Sequence, residues 1–348
     1  MFIIFLNLNL IGLLKNLIKK VYHTMGIKGL TGLIKKNSPN SIKHVGLYTM
    51  KDKRVAIDTS IFLYKSLMNV RSKGDYLRNK DGKVISHIQG LYYKTNQYLS
   101  FGITPIYIFD GKPPPEKSQT IKERVKKAEE CKEKMEQATD IQEKQKIEKG
   151  TIRMKKEYID DLKQLFDFMG VSYIHADGEA EAYASELCRI GFVDAVVTED
   201  MDTLSYGCPQ MIRGCIDKSI KRPEIITTFD FQKIIEDFKM THDEFIDMCI
   251  LCGCDYCPTI PKVGPVRAMK FIQKYKTIEN YLDTEKVDHE EFKQKYEASR
   301  GLFKVFKDKI DLNELPIHES KYDSEKLYHY LVHDCSMNEK RIQNSIRK

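Results

Sequence analysis

Apolar and polar positions along this chain follow two rhythms, and each predicts a different element. Continuous apolar runs rich in β-branched residues occur at Val55-Ala56-Ile57, Ile106-Tyr107-Ile108-Phe109 and Ala195-Val196-Val197. Runs of that length suit strands buried on both faces of a parallel sheet. Elsewhere the spacing is helical. Tyr158, Ile159, Leu162, Leu165, Phe166 and Met169 mark an amphipathic helix that Gly170 ends. A short strand over 171–174 and a helix over about 179–189 follow, and past Thr228 the chain turns predominantly helical. Between Pro113-Pro114-Pro115 and about Lys156 the pattern thins to lysine and glutamate, with Ile121, Val125 and Ala128 as a narrow apolar stripe. Taken alone, such a stretch reads as a solvated helix or coiled-coil arm. The alternation predicts an α/β fold with a mostly parallel central sheet flanked by helices.

Each of the three strand-like runs leads to a carboxylate: Asp58, Asp110 and, through Thr198-Glu199, Asp200. Ligands of open parallel sheets bind beyond the carboxyl edge of the strands, so these acids converge on one crevice. Uncompensated, they would repel one another, which implies bound divalent cations. Further acids fit the same pocket. Glu179 and Glu181 open a helix, where they also complement its dipole. Asp202 lies two residues after Asp200, and Asp255 follows the Cys252-Gly253-Cys254 bend. Two magnesium ions about 3.5–4 Å apart would stabilise the attacking and leaving oxygens of an in-line displacement at phosphorus. Magnesium keeps much of its water, so several of these acids should act through water. The pattern is that of a metal-dependent enzyme.

Composition sharpens this picture only modestly. At 348 residues and 41% hydrophobic, the chain can bury one large core or two modest ones. A formal charge of +7 with 31% charged residues is ordinary for solubility, yet a basic exterior around an acidic cleft also suits a polyanionic substrate. Nine scattered cysteines point to a reducing, intracellular setting rather than a secreted disulfide scaffold. Cys249, Cys252, Cys254 and Cys257 have a spacing that could hold zinc or an iron–sulfur cluster. The helical periodicity over 243–252 favours thiols as small core residues instead. The first 24 residues are strongly apolar, uncharged until Lys15 and interrupted by Asn7 and Asn9. They lack the layout of a secretory signal and are too short for a membrane span. A surface anchor is one reading; a dispensable extension before Met25 is the favoured one.

The motifs MGIKGL from Met25, VAIDTS from Val55, YIFDGKPPP from Tyr107, GEAEAYA from Gly178, TEDMDTLSYG from Thr198 and LCGCDYCPTIPKVGPVRA from Leu251 together resemble the flap endonucleases of the XPG nuclease family. They come in the family's order and cover roughly residues 25–345. The resemblance implies a PIN-like nuclease core with a helical arch insert and a helix–turn–helix that grips duplex. The implied activity is that of a magnesium-dependent 5′ nuclease, with manganese as a substitute, cutting DNA flaps at single-strand/double-strand junctions in replication and repair. A 5′-exonuclease activity is also implied. Metal ligation then falls to Asp58, Asp110, Glu179, Glu181, Asp200, Asp202 and Asp255. Lys117 and Arg124 become the catalytic cations at the base of the arch. They are seven residues apart on one helical face, about 10.5 Å at 1.5 Å per residue, and would steady the scissile phosphate. DNA contacts fall on Gly26, Tyr64 (base stacking), Lys112, Lys117, Arg124, Glu179, Asp255, Lys262, Gly264 and Arg267, with Lys270 adding charge.

Three departures accompany the resemblance. The family usually has glycine where this chain has Lys262, which bears on the tight turn and on any monovalent-ion site there. The extension before Gly26 would crowd the cleft. The chain ends at Lys348 without the glutamine-and-aromatics tail that docks the family onto a sliding clamp, so coupling to a clamp is not supported by the sequence. The expected organisation is an extension (1–24), the first part of the core (25–115), the arch (116–156), the second part of the core (157–242), the duplex-binding region (243–290) and a helical C-terminus (291–348). A monomer acting at a site of DNA replication, such as the nucleus, is expected, with no membrane association. Several rivals stand beside this reading, among them junction-resolving members of the same family and a catalytically silent DNA-binding protein, whose usual sign, loss of a metal acid, is missing. A 5′-exonuclease of the same family would share the acids. AVVTEDMDT also resembles haloacid-dehalogenase-type phosphatases with Asp200 as nucleophile, which leaves Asp58, Asp110, Glu179 and Glu181 unexplained.

Overall fold

The computed structural model describes residues 26–72, 75–137, 151–213 and 224–346. The expectations for 1–24 and for the far end of the arch insert, 138–150, lie outside the described residues. Eight strands form one sheet: β1 (Ile42–Gly46), β2 (Arg54–Asp58), β3 (Thr104–Phe109), β4 (Tyr173–His175), β5 (Ala195–Val197), β6 (Gln210–Arg213), β7 (Ile225–Asp230) and β8 (Ile317–His318), in the order β1-β7-β6-β5-β2-β3-β4-β8. The five central strands, from β6 to β4, run parallel. The flanking pairs β1–β7, β7–β6 and β4–β8 are antiparallel. The three apolar runs are the middle strands β5, β2 and β3, as burial on both faces requires.

Alternation along these strands splits the core in two. Val55, Ile57, Tyr107, Phe109, Ala195 and Val197 join one cluster, while Ala56, Ile106, Ile108 and Val196 join another on the opposite face. Over the first face pack α2 (Thr59–Asn69), α3 (Ser86–Ser100) and α5 (Lys156–Met169), through Phe62, Leu91, Leu165 and Phe166. Helix α6 (Ala180–Arg189) covers the second through Ala180, Tyr183, Ala184 and Leu187. The α5 helix ends where Gly170 adopts φ 62°, a left-handed residue that glycine takes without steric cost.

A third core belongs to helices. It contains side chains of α1 (Leu30–Asn37), α7 (Phe231–Phe238), α8 (His242–Cys252), α9 (Pro265–Tyr275), α10 (Ile278–Thr284) and α11 (Glu290–Leu302). Thr241 and Glu244 form a capping box that starts α8. Within this layer Asp247 accepts from Arg300 Nε at 2.7 Å and Nη2 at 2.9 Å, and from the Ile278 N–H at 3.1 Å; Arg300 also reaches Glu279 at 2.9 Å. One guanidinium thus ties α8, α10 and α11 together. The insert begins as the twenty-residue helix α4 (Ser118–Gln137). On it Ala128 is buried and Val125 exposed, in keeping with the thin apolar stripe. No described helix is long and apolar enough to cross a membrane.

Candidate active site

Register sets the acids level. Asp58 pairs with Ile108, and Ile57 with both Tyr107 and Val197, so β2, β3 and β5 end at one edge. Asp58 caps α2, accepting the Ile61 N–H at 3.2 Å, and takes the Thr198 hydroxyl at 3.1 Å across the β2–β5 pair. One residue beyond β3, Asp110 accepts the Ala180 N–H at 2.9 Å and the hydroxyl of Ser60. That bond draws the start of α6, with Glu179 and Glu181, onto the strand edge. Asp200 accepts the Asp202 N–H at 3.0 Å, folding the turn so that both carboxylates face the pocket. Asp202 accepts the Ile27 N–H at 2.5 Å. Gly26, at φ 74°, has no room for a side chain, because a Cβ would collide with the carboxylates of Asp200 and Asp202.

The seventh acid comes from the helical layer. Asp255 follows Gly253, which ends α8 and whose carbonyl accepts the Lys28 N–H at 3.0 Å. Arg124 Nη2 lies 2.7 Å and Lys117 Nζ 3.7 Å from Asp255 Oδ2, and the Thr120 hydroxyl donates to the Asp255 carbonyl at 2.8 Å. Lys117 also donates to Glu179 Oε1. The foot of the insert is therefore fastened to the acids by two cations and a hydroxyl. Both cations, expected to await a phosphate, are ion-paired with carboxylates.

The acids act on one another electrostatically. Burial, then repulsion from Asp110, pushes the Asp58 carboxyl up to about 7. Burial and the charges of Asp58 and Asp110 hold Glu181 well above the usual carboxylate range, and burial with Asp200 and Asp255 does the same to Asp202. Asp200 and Glu179 are raised chiefly by burial. For Lys117, burial disfavours the charge, but Glu179, Glu181 and Asp255 outweigh it and push its pKa up.

The donor set fits a hard divalent cation: it is all oxygen, densely anionic and held in the state that added positive charge would relieve. Among the described residues, however, no three His, Cys, Asp or Glu side chains close on one point as a ready cage. Backbone N–H groups, hydroxyls and Lys117 occupy many of the carboxylate oxygens. Cys249, Cys252 and Cys257 are buried free thiols and serve the helical core.

The remaining candidates lie around this pocket. Tyr64 is half-buried on α2 against the first core, and Lys112 is exposed just past Asp110. Gly264 precedes Pro265 at the start of α9, between the α8 and α9 helices, and the exposed Lys262, Arg267 and Lys270 surround it. The turn that Lys262 brought into question does form. Lys262 itself takes φ 64°, and Arg267 Nη1 donates to its carbonyl at 2.8 Å. Gly29, against which Pro265 packs, joins this turn to the acid pocket. Gly29 lies three positions after Gly26, a span of about 11 Å at most. Ser60, Thr120, Thr198, Tyr206 and Tyr256 were not singled out by the sequence pattern. All but Thr120 stand inside or beside the quoted motifs, one to four residues from an acid, and that proximity was the available signal.

Comparison with known proteins identifies the family. The XPG N-terminal domain matches residues 25–131 and the XPG I-region matches 170–255. Flap endonuclease 1 of Glycine max is 39% identical over 332 residues, 93% of this chain and 86% of the relative. Flap endonuclease 1 of Naegleria gruberi is likewise 39% identical, with 93% and 85% covered. Among solved structures, flap endonuclease-1 from Methanococcus jannaschii superposes with TM-score 0.65 at 26% identity, covering 88% of this chain and 94% of that one. The catalytic core of Rad2 in complex with DNA substrate shares the fold at TM-score 0.67 and 19% identity, with 92% and 98% covered.

Proposed function

The chain belongs to the flap endonuclease family of XPG nucleases, and on that premise we propose that it is a structure-specific 5′ flap endonuclease dependent on magnesium. It hydrolyses phosphodiester bonds in DNA near single-strand/double-strand junctions. The observation that carries the reading is the meeting of acids from three strand ends, α6 and the α8 exit with two cations from the foot of α4. A phosphatase using Asp200 alone would leave the rest of that cluster without a task.

When bound, magnesium supplies Lewis-acid charge at the phosphoryl oxygens and lowers the pKa of an attacking water. The chain's own residues hold and orient. Asp58, Asp110, Glu181, Asp200 and Asp202 furnish the anionic wall. Lys117 and Arg124 are poised to exchange their carboxylate partners for the scissile phosphate, whose growing negative charge they then stabilise. The exposed turn at Gly264, with backbone N–H groups at the start of α9 and Lys262, Arg267 and Lys270 nearby, suits duplex phosphates without reading sequence. Its closeness to the acids along 26–29 would fix the cut relative to the duplex.

Asp200→Ala supplies the test. Cleavage of a 5′-flap should fall roughly a thousandfold while binding of the same DNA persists. Retained cleavage would reject the acid assignment.

A further inference from the structure

Glu179 differs from the other acids in how it is held. Its Oε1 takes the Lys117 ammonium, while its Oε2 accepts from two phenols, Tyr256 and, at 3.2 Å, Tyr206. The two hydroxyl oxygens are themselves 2.5 Å apart. Both rings are buried and both pack on Phe303, with centroids 5.4 Å away in each case. Tyr256 adjoins Asp255, and its ring centroid lies 5.9 Å from Lys117 Nζ. The Tyr206 N–H donates to the Asp202 carbonyl at 3.2 Å, closing the turn that carries Asp200 and Asp202. Each phenol thus grows from an acid-bearing segment, and both reach for a carboxylate on a third.

Buried phenols need hydrogen-bond partners, and a backbone carbonyl would satisfy that need. Here two of them meet at a single carboxylate oxygen and at each other, and with one proton apiece they form a linked set of hydrogen bonds anchored on that oxygen. That arrangement commits Oε2 to the protein and leaves Oε1 as the edge of Glu179 facing the pocket.

We propose that Tyr206 and Tyr256 are positioning residues: their hydroxyls clasp Glu179 and set its spacing from the Asp202 and Asp255 segments, so that the acid pocket is preformed for divalent cations. The inference rests on the nuclease reading and deepens it. Both phenols are buried. Their effect passes through Glu179, as outer-shell partners act on ligating side chains.

Phenylalanine at either position keeps the packing on Phe303 and removes only the hydroxyl. Tyr206→Phe, Tyr256→Phe and the double variant should be compared with the parent in two ways. Magnesium binding to the DNA-free protein is measured by calorimetry, and the magnesium dependence of flap cleavage is followed alongside thermal stability. Tyr256→Phe should weaken magnesium binding about tenfold and raise the half-saturating magnesium for cleavage by the same factor, with kcat at saturating magnesium and the melting temperature near the parent's. Tyr206→Phe should do less, and the double variant should lose less than the sum, because both hydroxyls serve one oxygen. Parent-like magnesium affinity in all three variants would overturn the proposal, as would losses that track melting temperature alone or add in full. A parent protein that binds magnesium but does not cut a flap would instead defeat the nuclease reading and leave the calorimetric result to stand separately.

Discussion

Asp58 ends a strand buried on both sides, and burial and Asp110 both oppose its charge, so its carboxyl is pushed up to about 7. Such a group binds a proton in the folded chain over a pH range where the unfolded chain has already released it. Stability contributed by the neutral form is therefore present below the unfolded pKa and lost as pH rises through the folded one. Glu181, Asp200 and Asp202 shift in the same direction. In a chelator, the cluster should lower the melting temperature steadily from about pH 4 to beyond pH 7. Magnesium should restore it more at pH 8 than at pH 5, since only ionised carboxylates reward the cation. Thermal scans at the two pH values check this; an equal magnesium effect at both would contradict it. Asp58, Asp110, Asp200 and Asp255 were legible in the sequence because they follow an apolar run or helix, and Glu179 and Glu181 because they open one. Tyr206 and Tyr256 were not, because a tyrosine among apolar neighbours looks like core until its hydroxyl's partner is seen.

Among the elements, the turn before α9 shows what local sequence could not reveal. A lysine where glycine is usual argues against a left-handed turn, yet Lys262 adopts φ 64° and its carbonyl is held by Arg267. Tertiary packing of Pro265 on Gly29 overrides the local preference. Lys262→Gly should therefore stabilise the protein by up to about 1 kcal/mol. The same change should weaken duplex binding and reduce its logarithmic salt slope by about 0.9, the loss of one phosphate contact. Denaturant unfolding and a salt titration read the two effects. The ion cluster joining α8, α10 and α11 makes a sharper claim. Arg300→Met strands Asp247, which is 3% exposed, and should cost about 3 kcal/mol; a loss within 0.5 kcal/mol, the range of neutral surface changes, would show that water reaches the carboxylate.

At the scale of the whole molecule, the central sheet was readable because strands buried on both faces carry unbroken apolar runs. The edges were not. β1, spelled IKHVG, and the short β8 alternate or mix polarity and are defined by pairing with β7 and β4 rather than by their own composition. Convergence of Asp255 with the strand-end acids also depends on tertiary structure, since it requires the helical layer to dock through the 26–29 segment. The shared pocket, the foot of α4 and the turn before α9 together make one account of where DNA is held and cut. Mapping the products of a 5′-labelled double-flap DNA tests it most directly. A defined cut within a nucleotide or so of the junction in magnesium, abolished by chelator and by Asp200→Ala, is the predicted result. Cleavage that survives the chelator, or a ladder of mononucleotides released from the 5′ end with no junction cut, would contradict it.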